Sequence, residues 1–149
     1  MTPTLLGRWQ TRVFLMLALG VPITLFYMLV FGALSAGPDS EGFFKLPLLL
    51  LYVNALGFAF DALWIFLQSF RWDRDWPLAF QLFSGITEGA FAFALFASGL
   101  LPGAPFADGD ALRYALHYGG VSLRSYAFLF GPMRVLFPRW RFRGGRVFV

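Results

Sequence analysis

Cysteine is absent from the 149 residues, which excludes disulfide staples, thiolate metal sites and paired-cysteine redox chemistry. Histidine occurs once, so a two-histidine metal site cannot form. Charge is scarce as well: 13% of residues are charged, against 58% hydrophobic and 20% aromatic, a balance far from that of soluble domains. No phosphate-binding glycine loop and no nucleophile elbow is present, and no enzymatic activity is expected. Repeats, low-complexity tracts and dividing linkers are also lacking, so residues 1–149 read as one integral membrane domain.

What is present is long apolar runs. A bilayer core of about 30 Å takes roughly 20 helical residues to cross, and four runs of that order occur, at 13–34, 46–70, 77–101 and 111–137. The first outlasts a signal-peptide core and lacks a small-x-small cleavage site, so it is expected to stay as an anchor. Pro47 and Pro77 sit in first turns, where a missing amide hydrogen is tolerated, and Asp75 is placed to cap the third helix. The fourth run carries Arg113, His117 and Arg124 and is the least apolar. The expected fold is all-α, a four-helix transmembrane bundle with short loops and antiparallel neighbours.

The formal charge of +4 belongs to arginines at the ends of these runs rather than along a soluble face, so it signals topology and not nucleic-acid binding. Arg8, Arg12, Arg71, Arg74, Arg134, Arg139, Arg141, Arg143 and Arg146 fall on one side of a four-span chain. Lys45 and Arg113 fall on the other, with Asp39, Glu41, Asp108 and Asp110. Trp9, Trp72, Trp76 and Trp140 join the basic side, where indoles suit the headgroup region. The positive-inside rule then puts both termini in the cytoplasm of a multi-pass protein, of the kind found in a bacterial inner membrane.

Three ionisable residues lie deep in these runs: Asp61, Glu88 and Arg124. At 1.5 Å per residue they stand roughly 14, 17 and 20 Å from the basic face, a common level. An ionised side chain at mid-membrane is unfavourable by roughly 2.5–3.5 kcal/mol on insertion scales, so the three are expected to meet, with Arg124 between the carboxylates. Heptad-spaced polar residues mark the same faces: Asn54 and Gln68 with Asp61, Gln81 and Ser84 with Glu88, and His117 with Arg124. Two carboxylates and one guanidinium leave a net charge of minus one, room for a shared proton or a cation.

Gly85 and Gly89, spaced for helix contact, flank Glu88, while Gly20 and Pro22 predict a bend in the first span. His117, between Tyr114 and Tyr118, is the one candidate axial ligand for a haem or a chlorophyll-type pigment; otherwise no cofactor and no metal is expected. The hairpin carrying Arg71, Trp72, Arg74 and Trp76, and the tail carrying Arg139, Arg141 and Arg143, suit lipid headgroups or a docking partner.

Three roles fit this pattern. The leading one is a non-catalytic subunit that packs against partner subunits and lipids in a larger membrane assembly, its buried charges holding the spans in register. The second is a small proton- or ion-coupled transporter or channel that uses those charges. The third is a subunit carrying a pigment or haem.

Overall fold

The computed structural model describes residues 4–34, 44–72, 78–140 and 142–148, and every regular element among them is a helix. α1 (Leu5–Leu15) begins eight residues before the expected first span, because Thr4 caps it: its side chain accepts the Gly7 amide at 3.1 Å. The chain then passes through a π-helical turn, Met16–Gly20, into α2 (Val21–Leu34). Pro22 explains the turn. It offers no amide hydrogen and crowds the carbonyl four residues back, and the wider turn, in which the Val21 amide donates to Met16, takes up the misfit.

α3 (Lys45–Ser69) matches the second expected span to within one residue at each end. α4 (Leu78–Ala97) stops short of 101 because Gly99 adopts φ +73°, and the amides of Gly99 and Leu100 close the helix onto Phe96 and Leu95. The start expected at Pro77 and its Asp75 cap lie outside the described residues. The fourth expected helix is two pieces, α5 (Asp110–Phe130) and α6 (Pro132–Leu136), since Pro132 cannot continue the ladder and Gly131 leaves helical geometry at φ −107°, ψ −95°.

Three helices are long and apolar enough to cross a membrane: Leu5–Phe31, Lys45–Ser69 and Ala79–Ala97. α5 is not one of them, being polar along the side that faces the other helices.

Successive long helices run in alternating directions. Arg12 meets Asp61 while Gly20 meets Leu50, Phe60 meets Phe91 while Tyr52 reaches Pro102, and Phe14 meets Phe128 while Thr24 reaches His117. At one end Lys45 and Asp110, both buried, pair at 2.8 Å and join the starts of α3 and α5. Next to them an aromatic core gathers Leu49, Phe96 and Tyr114.

At the other end the tail folds back on α1. The Trp140 indole donates to Thr11 at 2.8 Å, the Thr11 hydroxyl donates to the Gly145 carbonyl at 2.8 Å, and the amides of Val147 and Phe148 donate to the Gln10 side chain. Gly144 and Gly145 take φ of +62° and +88°, and a side chain on Gly7 would strike the Gly144 carbonyl.

α4 and α5 are joined by tyrosines. Tyr114, Tyr118 and Tyr126 donate to the carbonyls of Gly89, Gly85 and Gln81 at 2.8, 2.5 and 2.8 Å. Gly85 and Gly89 thus serve helix contact by making room for rings rather than for a bare backbone: a side chain on Gly85 would meet the Tyr126 hydroxyl, and one on Gly89 the Tyr118 ring. Overpacking of this kind costs about 1–3 kcal/mol. Gly89→Leu is accordingly expected to lower the melting temperature of the detergent-solubilised protein, and Tyr118→Ala added to it to recover part of the loss; differential scanning fluorimetry on the single and double variants measures both.

Candidate functional site

The centre of the helices holds a charge cluster built on Arg12. Its guanidinium grips Asp61 with two bonds, Nε to Oδ2 at 2.7 Å and Nη2 to Oδ1 at 3.0 Å. The same Nη2 reaches Glu88, at 3.1 Å to Oε2 and 3.3 Å to Oε1. Glu88 also accepts from the indole of Trp64 at 3.2 Å, and Arg8 stands 3.9 Å from Asp61. Asp61 and Glu88 are both buried. The two-pronged Arg–Asp bond is the strong form of the ion pair, with planar fork against planar carboxylate.

Sequence and geometry explain why the cluster forms here. Arg8 and Arg12 are one turn apart on a single face of α1. Gly57, one turn before Asp61 on α3, leaves the space the guanidinium fills, since a side chain there would collide with Arg12. Trp64 lies three residues beyond Asp61, and Glu88 reaches the guanidinium from α4.

Two of the expected trio are therefore brought together. Asp61 and Glu88 do come together, but the cation between them is Arg12 and not Arg124. Arg124 is exposed on α5, where its Nη1 donates to the Gly120 carbonyl at 3.2 Å. Two physical reasons account for the correction. A run extending to residue 137 puts Arg124 about 20 Å from its end, whereas the helix ends at Phe130, about 9 Å away. Seven residues also fall short of two full turns by about 20°, enough to carry Arg124 past the rim on which His117 is still buried.

Arg12 was missed because a span opening at Val13 left it among the flanking charges. The signal that could have found it is Thr4, a capping residue just ahead of Leu5, followed by Gly7, Arg8, Thr11 and Arg12 at helical spacing. With Arg8 and Arg12 set against Asp61 and Glu88 the cluster balances, two charges of each sign, in place of the expected net of minus one.

The supporting polar residues sit as follows. Asp61 and Gln68 are buried on α3, and Asn54 is half-buried with its amide on the Leu50 carbonyl at 2.8 Å. On α4 the Ser84 hydroxyl donates to the Gln81 carbonyl at 2.8 Å. His117 is buried, its Nε2 2.8 Å from the Thr24 hydroxyl. That hydroxyl also donates its one proton to Gly20 at 2.7 Å, which leaves Nε2 as the donor to Thr24. That tautomer leaves the lone pair on Nδ1.

In the hairpin Trp72 is exposed, and Arg71 lies over the Phe80 ring at 5.4 Å from its centroid. Arg139 and Arg143 are exposed on the docked tail. Arg74, Trp76 and Arg141 fall outside the described residues.

A cavity of about 220 Å³ opens beside the cluster. Its polar lining includes Arg12, Asp61, Glu88, Gln81, Ser84 and Tyr118, and Tyr114, His117, Leu49 and Leu50 also line it. Among the described residues no group of three or more histidine, cysteine, aspartate and glutamate side chains is arranged to hold a metal ion. No protein-family model, curated protein or solved structure matches the chain.

Removing one partner of a buried ion pair strands the other and costs about 3–5 kcal/mol, whereas an exposed arginine contributes under about 1 kcal/mol. Arg12→Leu is therefore expected to abolish or sharply lower the yield of folded protein, while Arg124→Leu leaves folding nearly unchanged. Size-exclusion profiles and melting temperatures in one detergent compare the two, and equal losses would remove Arg12 from the centre of the cluster.

Proposed function

We propose that the chain is a non-catalytic, four-span membrane subunit, with both termini cytoplasmic in a membrane of the bacterial inner type, that packs against partner subunits in a larger assembly. The observation that carries the reading is the charge balance of the cluster. Asp61, Glu88, Arg8 and Arg12 answer one another, Trp64 covers Glu88, and no nucleophile stands free among them. Such a network holds α1, α3 and α4 in fixed register, which is the role of a scaffold.

The fourth span is supported by α5. Its 21 residues are about 31 Å long at 1.5 Å per residue, and its exposed side carries Leu112, Ala115, Leu116, Gly119, Leu123 and Ala127. Orientation is supported by what remains of the charge count once paired groups are set aside. Lys45 and Arg113 both pair with Asp110 at one end, whereas Arg134, Arg139, Arg143 and Arg146 are exposed at the other.

Since the chain has no cysteine, single-cysteine variants report topology directly. Cysteines placed at Thr4 and at Phe148 are expected to react with an impermeant maleimide only after the cytoplasmic side is opened, and one placed at Asp108 to react from outside. Labelling of Thr4 and Phe148 positions from opposite sides would end the four-span reading. For the assembly itself, native-gel migration from mildly solubilised membranes, followed by mass spectrometry, should place the chain in a band well above 16.8 kDa with reproducible co-migrating membrane proteins. Migration as a bare monomer would count against it.

A second reading, proton- or ion-coupled transport, is favoured by the cavity, whose lining brings Glu88 and Asp61 together with His117 around a partly polar space. A space of this size holds several waters, and intramembrane acids beside water commonly serve relays. Proteoliposomes loaded with a pH dye test it: proton flux that falls several-fold in Glu88→Gln would establish transport, and flux no greater than that of empty vesicles would dismiss it.

A further inference from the structure

Arg124 is a charge left outside the cluster. It projects from the apolar exposed side of α5, about 9 Å inside the end of that helix. Rather than extending toward that end, the side chain folds back over the preceding turn, where its Nη1 meets the Gly120 carbonyl. It thereby points toward the middle of the helix, the direction in which helical side chains lean. Among the described residues no carboxylate pairs with it.

A second donor converges on the same spot. Gly120 has no side chain, and the point where one would begin lies 3.1 Å from Arg124 Nη1 and 2.7 Å from the hydroxyl of Tyr27, which arrives from α2. Gly119, beside it, faces open space. Guanidinium and phenol therefore both close on the Gly120 backbone in the seam between α2 and α5, with Leu116 and Leu123 exposed on the same helix. The pair of donors suits a carboxylate arriving from outside the chain, which can accept from both.

We infer that this seam docks a transmembrane helix of another protein, one that presents an aspartate or glutamate at mid-membrane depth to Arg124 and Tyr27. A second copy of this chain does not supply the acid. Of its eight carboxylates, Asp61 and Glu88 are committed to Arg12, and Asp39, Glu41, Asp73, Asp75, Asp108 and Asp110 lie in connections or at a helix start. A lipid phosphate would require the guanidinium to leave the Gly120 carbonyl and swing toward the nearer helix end. The inference rests on α5 being a span and names the partner chemistry of the proposed subunit.

The test uses the full chain in phosphatidylcholine vesicles, donor-labelled at a cysteine replacing Phe148, with acceptor-labelled synthetic polyleucine helices carrying Glu, Gln or Leu at their midpoint. Energy transfer is expected to show the Glu helix binding roughly tenfold tighter than the Gln helix, in line with polar helix contacts in membranes. That preference should vanish in Arg124→Leu, shrink in Tyr27→Phe and persist in Arg139→Gln. Equal binding of the three helices, or a Glu preference that survives Arg124→Leu, overturns the inference. So does competition by added phosphatidylglycerol that abolishes the preference, which would assign Arg124 to headgroups, or self-association of the chain through the same seam. Maleimide labelling of Gly119→Cys in the same vesicles separates the two failures: a shielded thiol with no Glu preference sinks the docking inference alone, and a water-accessible thiol sinks the four-span reading with it.

Discussion

A guanidinium among apolar helices is stable only where acceptors surround it, and the interior of this protein is organised by that demand. Arg12 supplies five N–H groups in a rigid plane, and two carboxylates from separate helices meet it from different sides. Once Asp61 is seated in the fork, α1 and α3 can slide past one another only by breaking two charged hydrogen bonds. Glu88 adds α4 on the same terms. Hydrocarbon gives little reason for one apolar helix to prefer another, so directional bonds carry the specificity that water-driven packing carries in soluble proteins.

Other features accommodate this arrangement. Gly57 clears the space, Trp64 occupies a remaining acceptor position of Glu88, and Thr4 draws the helix out far enough that Arg8 and Arg12 belong to it. The tail closes over the same helix through Thr11 and Gln10, so the residues bearing the guanidinia are held from the far end as well. α5 joins by a different chemistry: tyrosine hydroxyls on α4 carbonyls, with glycines opposite the rings, and a Thr24–His117 bond to α2. Neutral bonds there leave the charge balance of the cluster undisturbed.

Much of this was legible in the residue order. Length and hydropathy placed α3 almost to the residue, and the cost of burying an acid in hydrocarbon sufficed to predict that Asp61 and Glu88 would share a partner. The same logic chose the wrong cation, for reasons that are instructive. Counting depth from a charge-bounded run treats the helix as ending where the apolar residues end, yet Gly131 and Pro132 ended it sooner, and Thr4 began α1 before the apolar run started. Both errors moved arginines along the chain, Arg12 off the end of its helix and Arg124 farther from the end of its own. Helix-terminal chemistry, a capping hydroxyl at one end and a glycine–proline step at the other, carried the information that hydropathy did not. The tyrosine ladder was illegible for another reason: a Gly–x–x–x–Gly spacing states that something comes close, and only the facing helix says whether it is backbone or ring.

The exchange of cations has a functional consequence. Had Arg124 balanced the carboxylates, the interior would have carried a net negative charge and α5 an apolar outer side, the pattern of a site seeking a proton or cation. With Arg8 and Arg12 in that place, the cluster balances, and the charge without a carboxylate among the described residues is Arg124 on the outside, beside Tyr27 and the open surface of Gly119. Coulombic need in a low-dielectric medium does not disappear when it is moved; it changes what can satisfy it. An internal deficit can be met by a small ion, an outward one only by a group that reaches the exposed side of the helix.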